Sequence, residues 1–316
     1  MSDQNCNLGI TNTGQACTEA FGVCDFLVAQ QTYDSVGNLN GIDTGSGPFD
    51  AAFFAALINH VDPSIRWYPL PKMKNIANMR NDPEFKSWDD NSKSFIQQGV
   101  RSFMGIAIGT TGAAPQMTGK LDSLRGAGVS FYMVDKFGNL IGKVDPNNDT
   151  LFCGVEAEAD TIYSVLGMTV DKDVQQIKFG FDFLQTEMDK ELKMIKGSEL
   201  AASISNLRGL IDVTDNWSAP SITSFQVKLY TDGGTPLTPV LVKGLVAADF
   251  VSSVGGSTAK VRDKTASANV SITSVESPAG TYTITGTFPT GHTLILKPVK
   301  AGFDFTAVEA NVILIP

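Results

Sequence analysis

The sequence predicts a mainly β protein with more than one domain. Three observations carry that expectation. Apolar residues recur at period two in several stretches between Phe95 and Phe183, Phe131 to Gly142 has the form of a hairpin, and from Pro220 onward Val, Thr, Ser and Gly rise while helix formers fall. At 316 residues the chain exceeds the roughly 100–200 residues of one domain. A composition of 42% hydrophobic and 18% charged residues, with 30 Gly and 14 Pro, fits a globular chain rich in turns rather than a disordered one. The expected division is an N-terminal arm or loop segment (1–48), a β domain with helices (49–217) and a β-sandwich (218–316).

Residues 1–48 are rich in Gly, Asn, Thr and Asp, and Gly41 to Pro48 suits an exposed loop or arm. Asp50 is placed to cap a short helix over Ala51 to His60, packed against a sheet. Arg66 to Lys86, punctuated by Asp62-Pro63 and Asp82-Pro83, gives no clear pattern. Val100, Ser102, Met104, Ile106 and Ile108 share one strand face, with Arg101, Phe103 and two small residues on the other. FYMVDKFGNLIG (Phe131 to Gly142) places Asp135, Gly138 and Asn139 at the turn between two apolar strands. Leu151, Cys153, Val155 and Ala157 continue the alternation, and Ile177, Phe179, Phe181 and Phe183 repeat it, so Phe179 and Phe181 are expected in the core. Leu184, Met188, Leu192 and Ile195 recur at three- and four-residue spacing and predict a helix ending near Gly197, with a second amphipathic turn over Glu199 to Ile211 and a break at Gly209 to Ser218. Beyond Pro220, strands are expected at Phe225–Tyr230, Leu237–Val242, Asn269–Val275, Thr281–Phe288, Thr293–Val299 and Val308–Ile315, in a sandwich of immunoglobulin-like size without a Cys-Trp-Cys pattern.

Charge excludes some functions. The net charge is -9, yet residues 218–316 carry 7 Lys+Arg against 6 Asp+Glu, so the acidity lies in the first 217 residues, with 17 against 27. That sign repels phosphate backbones and argues against a gripping nucleic-acid binder. Met1 to Asn7 is polar and shows no secretory leader. The longest apolar run, Ala51 to Ile58, falls far short of the roughly 20 residues of a membrane span. Cys6, Cys17, Cys24 and Cys153 form no CxxC pair; reduced thiols are expected, with a disulfide among the first three as the alternative.

Candidate chemistry is thin, and neither an enzyme nor a cofactor is expected. His60 and His292, which are all the histidines, fall in different expected domains, so a histidine-based triad would need an interface between them. Gly105 to Gly112 lacks the GK[ST] ending of a phosphate loop. Asp145, Asn147, Asp149 and Glu156 match the donor spacing of a calcium loop, but Thr150 stands where that loop needs glycine and Pro146 intrudes, so a polar turn is expected. Glu156, Glu158 and Asp160 alternate and would form an acidic strand face, a metal or glycosidase pair being the competing reading. Asn148, Asn216 and Asn269 begin N-x-[ST] triplets, read as chance matches. No catalytic, cofactor-binding or metal residue is assigned.

The strand pattern from Phe95 to Phe183, the hairpin FYMVDKFGNLIG and the sandwich-like tail carrying GLVAADF and AGTYTIT resemble structural proteins of tailed bacteriophages, most of all the tail tube class. The resemblance covers roughly residues 75–316 and is one of layout. It implies a tail-tube-like β-sandwich or barrel with a flanking helix, followed by an immunoglobulin-like sandwich. It also implies homohexameric rings that stack head to tail, so that DNA passes the lumen without specific binding. Gln176 to Phe183 and Val100 to Ile108 would be barrel strands, Leu184 to Ile195 the flanking helix, and Ser218 to Pro316 the external domain. Partners would be copies of the chain and other virion proteins, with no membrane, and assembly would occur in the host cytoplasm. Met1 to about Asn75 is longer than the usual arm, which leaves capsid, connector and baseplate roles open. A surface or carbohydrate-binding module, with Trp217 and Tyr230 as stacking residues, is the competing class, followed by a hydrolase with paired carboxylates.

Overall fold

The computed structural model describes residues 5–6, 15–16, 21–108, 115–170, 174–187, 189–234, 237–252 and 258–316. The chain is mainly β, with 46% strand against 10% helix in several antiparallel sheets, two of them curled half-barrels. It forms two compact units, Met1–Arg208 and Gly209–Pro316.

In chain order the first unit contains β1 (Asn5–Cys6), β2 (Gln15–Ala16), β3 (Cys24–Gln31), β4 (Ile42–Asp43), α1 (Ala51–Ile58), β5 (Tyr68–Pro69), β6 (Met73–Arg80), β7 (Glu84–Ser87) and β8 (Lys93–Gln97). It continues with β9 (Arg101–Ile108), α2 (Pro115–Asp122), β10 (Val129–Asp135), β11 (Leu140–Asp145), β12 (Asn148–Cys153), β13 (Val155–Glu156), β14 (Tyr163–Gly167), β15 (Gln176–Asp182) and β16 (Leu192–Ile195). One sheet runs β4-β12-β11-β10-β3-β5, with β13 also on β10 and β16 also on β11; a second runs β14-β15-β9-β6.

β10, VSFYMVD, is buried along its whole length because its sheet is covered on both sides. On one side Phe131 stacks on Phe181 at 4.2 Å, and Phe181 meets Phe103 at 5.3 Å and Phe179 at 5.7 Å, joining the two sheets through one aromatic core. On the other, Tyr132 meets Trp67 at 4.9 Å, and Trp67 meets Phe54 of α1 at 5.8 Å. The Asp50 carboxylate accepts from the Phe53 N–H at 2.8 Å and starts α1, as its sequence position predicts.

The predicted hairpin is present. β10 and β11 pair antiparallel, and the buried Asp135 carboxylate accepts from the N–H groups of Phe137 and Asn139 at 2.8 and 2.9 Å. Gly138 sits in this turn at φ +80°, where a side chain would be strained.

Two local expectations are corrected, and the faces of one strand are resolved. Leu184–Ile195 is not a helix: Asp189–Glu191 makes one 3-10 turn and Leu192–Ile195 is a strand, paired to β11 from Leu192↔Lys143 to Ile195↔Leu140. Pairing beside β11 overrides a helical spacing carried by four residues. Glu199 to Ile211 likewise forms turns and the start of a strand, and the helices that flank the sheets are α1 and α2. In β9 the buried face is Phe103, Gly105 and Ala107, while Ser102, Met104, Ile106 and Ile108 are half-exposed. The small residues are inside because the layer of rings and Met73 needs the room: a Cβ on Gly105 would lie 2.6 Å from Met73 Sδ.

The second unit contains β17 (Ile211–Ser218), β18 (Ser224–Gly234), β19 (Pro239–Leu241), β20 (Lys260–Asp263), β21 (Ala268–Ser271), β22 (Thr273–Glu276), β23 (Thr281–Thr285), β24 (Thr293–Ile295), β25 (Phe303–Asp304), α3 (Thr306–Ala310) and β26 (Ile313–Leu314). Its sheets, β22-β23-β18-β17-β25 with β19 on β18, and β21-β20-β24-β26, face one core. Val227, Leu229 and Ile284 from the first meet Val261, Leu294 and Ile313 from the second, which makes a β-sandwich. The predicted break at Gly209 to Ser218 is instead mostly strand β17, so this unit begins about nine residues earlier than expected. The expected strand Asn269–Val275 divides at the buried Ile272, and Val308–Ile315 divides into α3 and β26. Among the described residues no helix is long and apolar enough to cross a membrane.

Candidate assembly surface

The residues that sequence reasoning weighed for chemistry do not converge. The histidines sit in different units. His60 follows α1 and its ring Nδ1 accepts from the Asp62 N–H at 3.2 Å. His292 Nδ1 lies 2.7 Å from Asp263 Oδ2, between two turns of the sandwich. Burial would raise the Asp263 carboxyl, but donors from the Ala266 N–H and the His292 ring hold it below its usual range.

Asp145 accepts from the Asn147 N–H and Asn148 from the Thr150 N–H, so this segment is a self-bonded polar turn. Glu156, Glu158 and Asp160 do not share a strand face, because β13 stops at Glu156 and a 3-10 turn begins at Ala159. Glu158 and Asp160 are exposed, whereas Glu156 is half-buried beside the ion pair of Lys143 and Glu187. Burial raises the Glu156 carboxyl, with Glu187 and Glu158 adding to the shift and Lys143 opposing it. Among the described residues no cluster of His, Cys, Asp and Glu could hold a metal ion.

Trp217 packs against Phe225 at 5.1 Å beside the sandwich core, and Tyr230 is half-buried, so neither offers an open stacking platform. Cys24 and Cys153 are buried free thiols; burial pushes them up to about 12 and about 11, with neighbouring carboxylates adding to both. The side chains of Cys6 and Cys17 lie outside the described residues.

A surface, rather than a pocket, stands out. In the sheet β14-β15-β9-β6, the end strands β14 and β6 each pair on one side only among the described residues. The core face is the aromatic layer. The opposite face follows from the register: Tyr163 and Val165 on β14, Gln176, Lys178 and Asp182 on β15, Ser102, Met104, Ile106 and Ile108 on β9, Lys74, Ala77 and Met79 on β6. It is mostly apolar, with Lys74 and Lys178 against one carboxylate, Asp182, so the acidity of the first 217 residues is not concentrated here.

Beyond the β6–β9 end of that sheet, β7 and β8 continue as a two-stranded ribbon in which every residue is exposed. Phe85 and Phe95 meet edge to face at 6.0 Å, and Trp88 stands under the Lys86 ammonium at 4.3 Å. With Ile96 these rings remain roughly half exposed. Sequence reasoning left Arg66 to Lys86 unassigned: β6 there buries only Met73, and the ribbon that follows has neither face buried, so no period-two signal exists. The available clue was Phe85, Trp88, Phe95 and Ile96 among charged residues.

A scan of protein-family models, a search of curated proteins and a search of solved structures each return no match to this chain.

Proposed function

We propose that this chain is a self-assembling structural subunit of a tailed-bacteriophage virion, of the tail tube kind, whose rings stack into a conduit that DNA passes without specific binding. The observation that carries the proposal is the four-stranded sheet with both end strands unpaired on their outer side among the described residues. Free strand edges invite uncontrolled pairing, and closure between identical copies removes them. β14 of one copy beside β6 of the next is a heterologous contact, which yields a ring when the rotation closes, hexameric in the class the sequence resembles.

The ribbon supplies the axial contact. From Asp82 to Gln97 it carries Asp82, Glu84, Asp89 and Asp90 against Lys86 and Lys93, around exposed rings. The outward sheet face is complementary, mostly apolar with Lys74 and Lys178 exposed and its one carboxylate, Asp182, half-buried on the Ser102 hydroxyl. A ribbon from one copy laid on that face of the next covers both apolar surfaces and matches their charges.

Size-exclusion chromatography with light scattering, and negative-stain imaging, test both contacts. The wild type gives rings or tubes, and the triple variant Phe85→Ser, Phe95→Ser, Ile96→Ser gives rings that do not stack. Monomers at every concentration, above all monomers retained by immobilised glycans, refute self-assembly and favour the carbohydrate-binding alternative. Unchanged tubes from the triple variant refute the axial role of the ribbon.

A further inference from the structure

We infer that Asp189 is a positioning residue which, with Arg80, Arg101 and Gly99, sets the direction in which the ribbon leaves the four-stranded sheet. A ribbon whose residues are all exposed gains nothing from a core that could orient it. Its direction is therefore set at its root.

The root is built from two independent features. The first is a close backbone approach. The Asn81 N–H donates to the Val100 carbonyl at 2.8 Å, and a Cβ on Gly99 would lie 2.0 Å from the Asn81 carbonyl oxygen and 2.7 Å from that of Asp82. Both are backbone atoms that cannot swing aside, so glycine alone permits this pinch.

The second feature is a charge clamp. Arg80 ends β6, Arg101 begins β9, and the two are direct cross-strand partners. Arg80 Nε and Nη2 donate to the two Asp189 oxygens at 3.0 and 3.1 Å, and Arg101 Nη2 donates to Oδ1 at 2.6 Å. Arg80 also donates to the Gly99 carbonyl and to the Glu187 carbonyl, each at 2.8 Å. One guanidinium thus ties both sides of the ribbon's root to the turn before β16.

That turn is anchored in the core sheet: the Leu184 N–H donates to the Glu156 carbonyl at 3.1 Å, and Glu187 pairs with Lys143 of β11. Orientation therefore passes from the core through Leu184, Glu187 and Asp189 to the neck. Burial would raise the Asp189 carboxyl, yet the hydrogen bonds and charges of Arg80 and Arg101 hold it below its usual range, so it is ionised at neutral pH. Without its charge, two guanidiniums face each other across paired strands and repel.

This inference goes beyond the assembly reading and does not require it. The test measures the distance between spin labels at Ser87→Cys on the ribbon and Lys136→Cys in the β10–β11 turn. The full chain is used with Cys6 and Cys17 replaced by serine, diluted in unlabelled protein so that only distances within one copy are read. The wild type is expected to give one narrow distribution. Asp189→Asn broadens it at least twofold, Asp189→Glu restores most of it, and Gly99→Ala shifts or broadens it by a separate route, with thermal unfolding of the Asp189→Asn and Asp189→Glu variants within a few degrees of the parent. A distribution in Asp189→Asn as narrow as the parent's overturns the inference, as does a parent distribution that is already broad. A narrow parent distribution in a chain that never assembles removes the proposed function and leaves this inference standing.

Discussion

Phe181→Ala probes the layer on which the open sheet rests. The ring is 2% exposed and meets four others: Phe131 at 4.2 Å, Phe183 at 5.0 Å, Phe103 at 5.3 Å and Phe179 at 5.7 Å. Truncating a core phenylalanine costs about 3–5 kcal/mol in lost transfer energy and cavity formation. The upper half of that range applies here, because rings held on every side cannot collapse into the void and each lost ring pair adds about 0.5–1.5 kcal/mol. For a unit of this size, 1 kcal/mol moves the melting temperature by about 2–4 °C, so a fall of roughly 8–20 °C is expected. Differential scanning calorimetry of the full chain reads it, with the second unit's Ile284→Ala as a control that acts on a different core. A fall of under about 3 °C would show that the ring does not occupy the centre of the packing, and the two-sheet architecture of the first unit would have to be redrawn.

Two further outcomes follow from buried titratable groups. The folded-state pKa of Glu156 is raised above its ordinary 4.5, so its stabilising contribution is present below that value and is lost as pH rises through the folded pKa. Glu156→Gln should therefore unfold at higher denaturant than the parent at pH 7 and at the same denaturant at pH 4; an equal gain at both would refute the assignment. Cys24 and Cys153, raised to about 12 and about 11, should stay unreactive toward a thiol reagent at pH 8 in a Cys6→Ser, Cys17→Ser chain, then release two equivalents on unfolding. Rapid labelling of the native chain would contradict their burial.

What was legible in the sequence was what local chemistry decides. Asp50 before an apolar octet starts α1, and Asp135, Gly138 and Asn139 mark the β10–β11 turn because each side chain or φ angle satisfies its own neighbourhood. Phe179 and Phe181 were legible as core because both lie on one face of a half-buried strand. Leu184–Ile195 misled because Leu192 and Ile195, both in strand β16, also complete a four- and three-residue spacing with Leu184 and Met188 in the sequence; only β11, some fifty residues away in sequence, decides between the two. α2 was missed because Thr118 and Gly119 weaken its propensity, and Leu121 reaching the core supplies what the local sequence lacks. The clamp at the ribbon root joins Arg80 and Arg101 to Asp189, 109 and 88 residues later, a separation that no local pattern spans.

The central strand of the first unit also sets a timetable for synthesis. β10 completes its ladder against β3 from Val129↔Gln31 to Asp135↔Cys24, across about 100 residues of chain. At roughly 5–20 residues per second, β3 waits about 5–20 s on the ribosome before this long partner emerges, and only the two-residue β5 reaches it sooner. During that interval the apolar Phe26-Leu27-Val28-Ala29 run has at most the two residues of β5 to pair with, and non-local pairing of this kind is slow even once both strands are free. Nascent copies crowded on one message would therefore expose like strands to one another early, and slower initiation or a bound chaperone should raise the yield of correctly folded subunits more than any change to the finished surface.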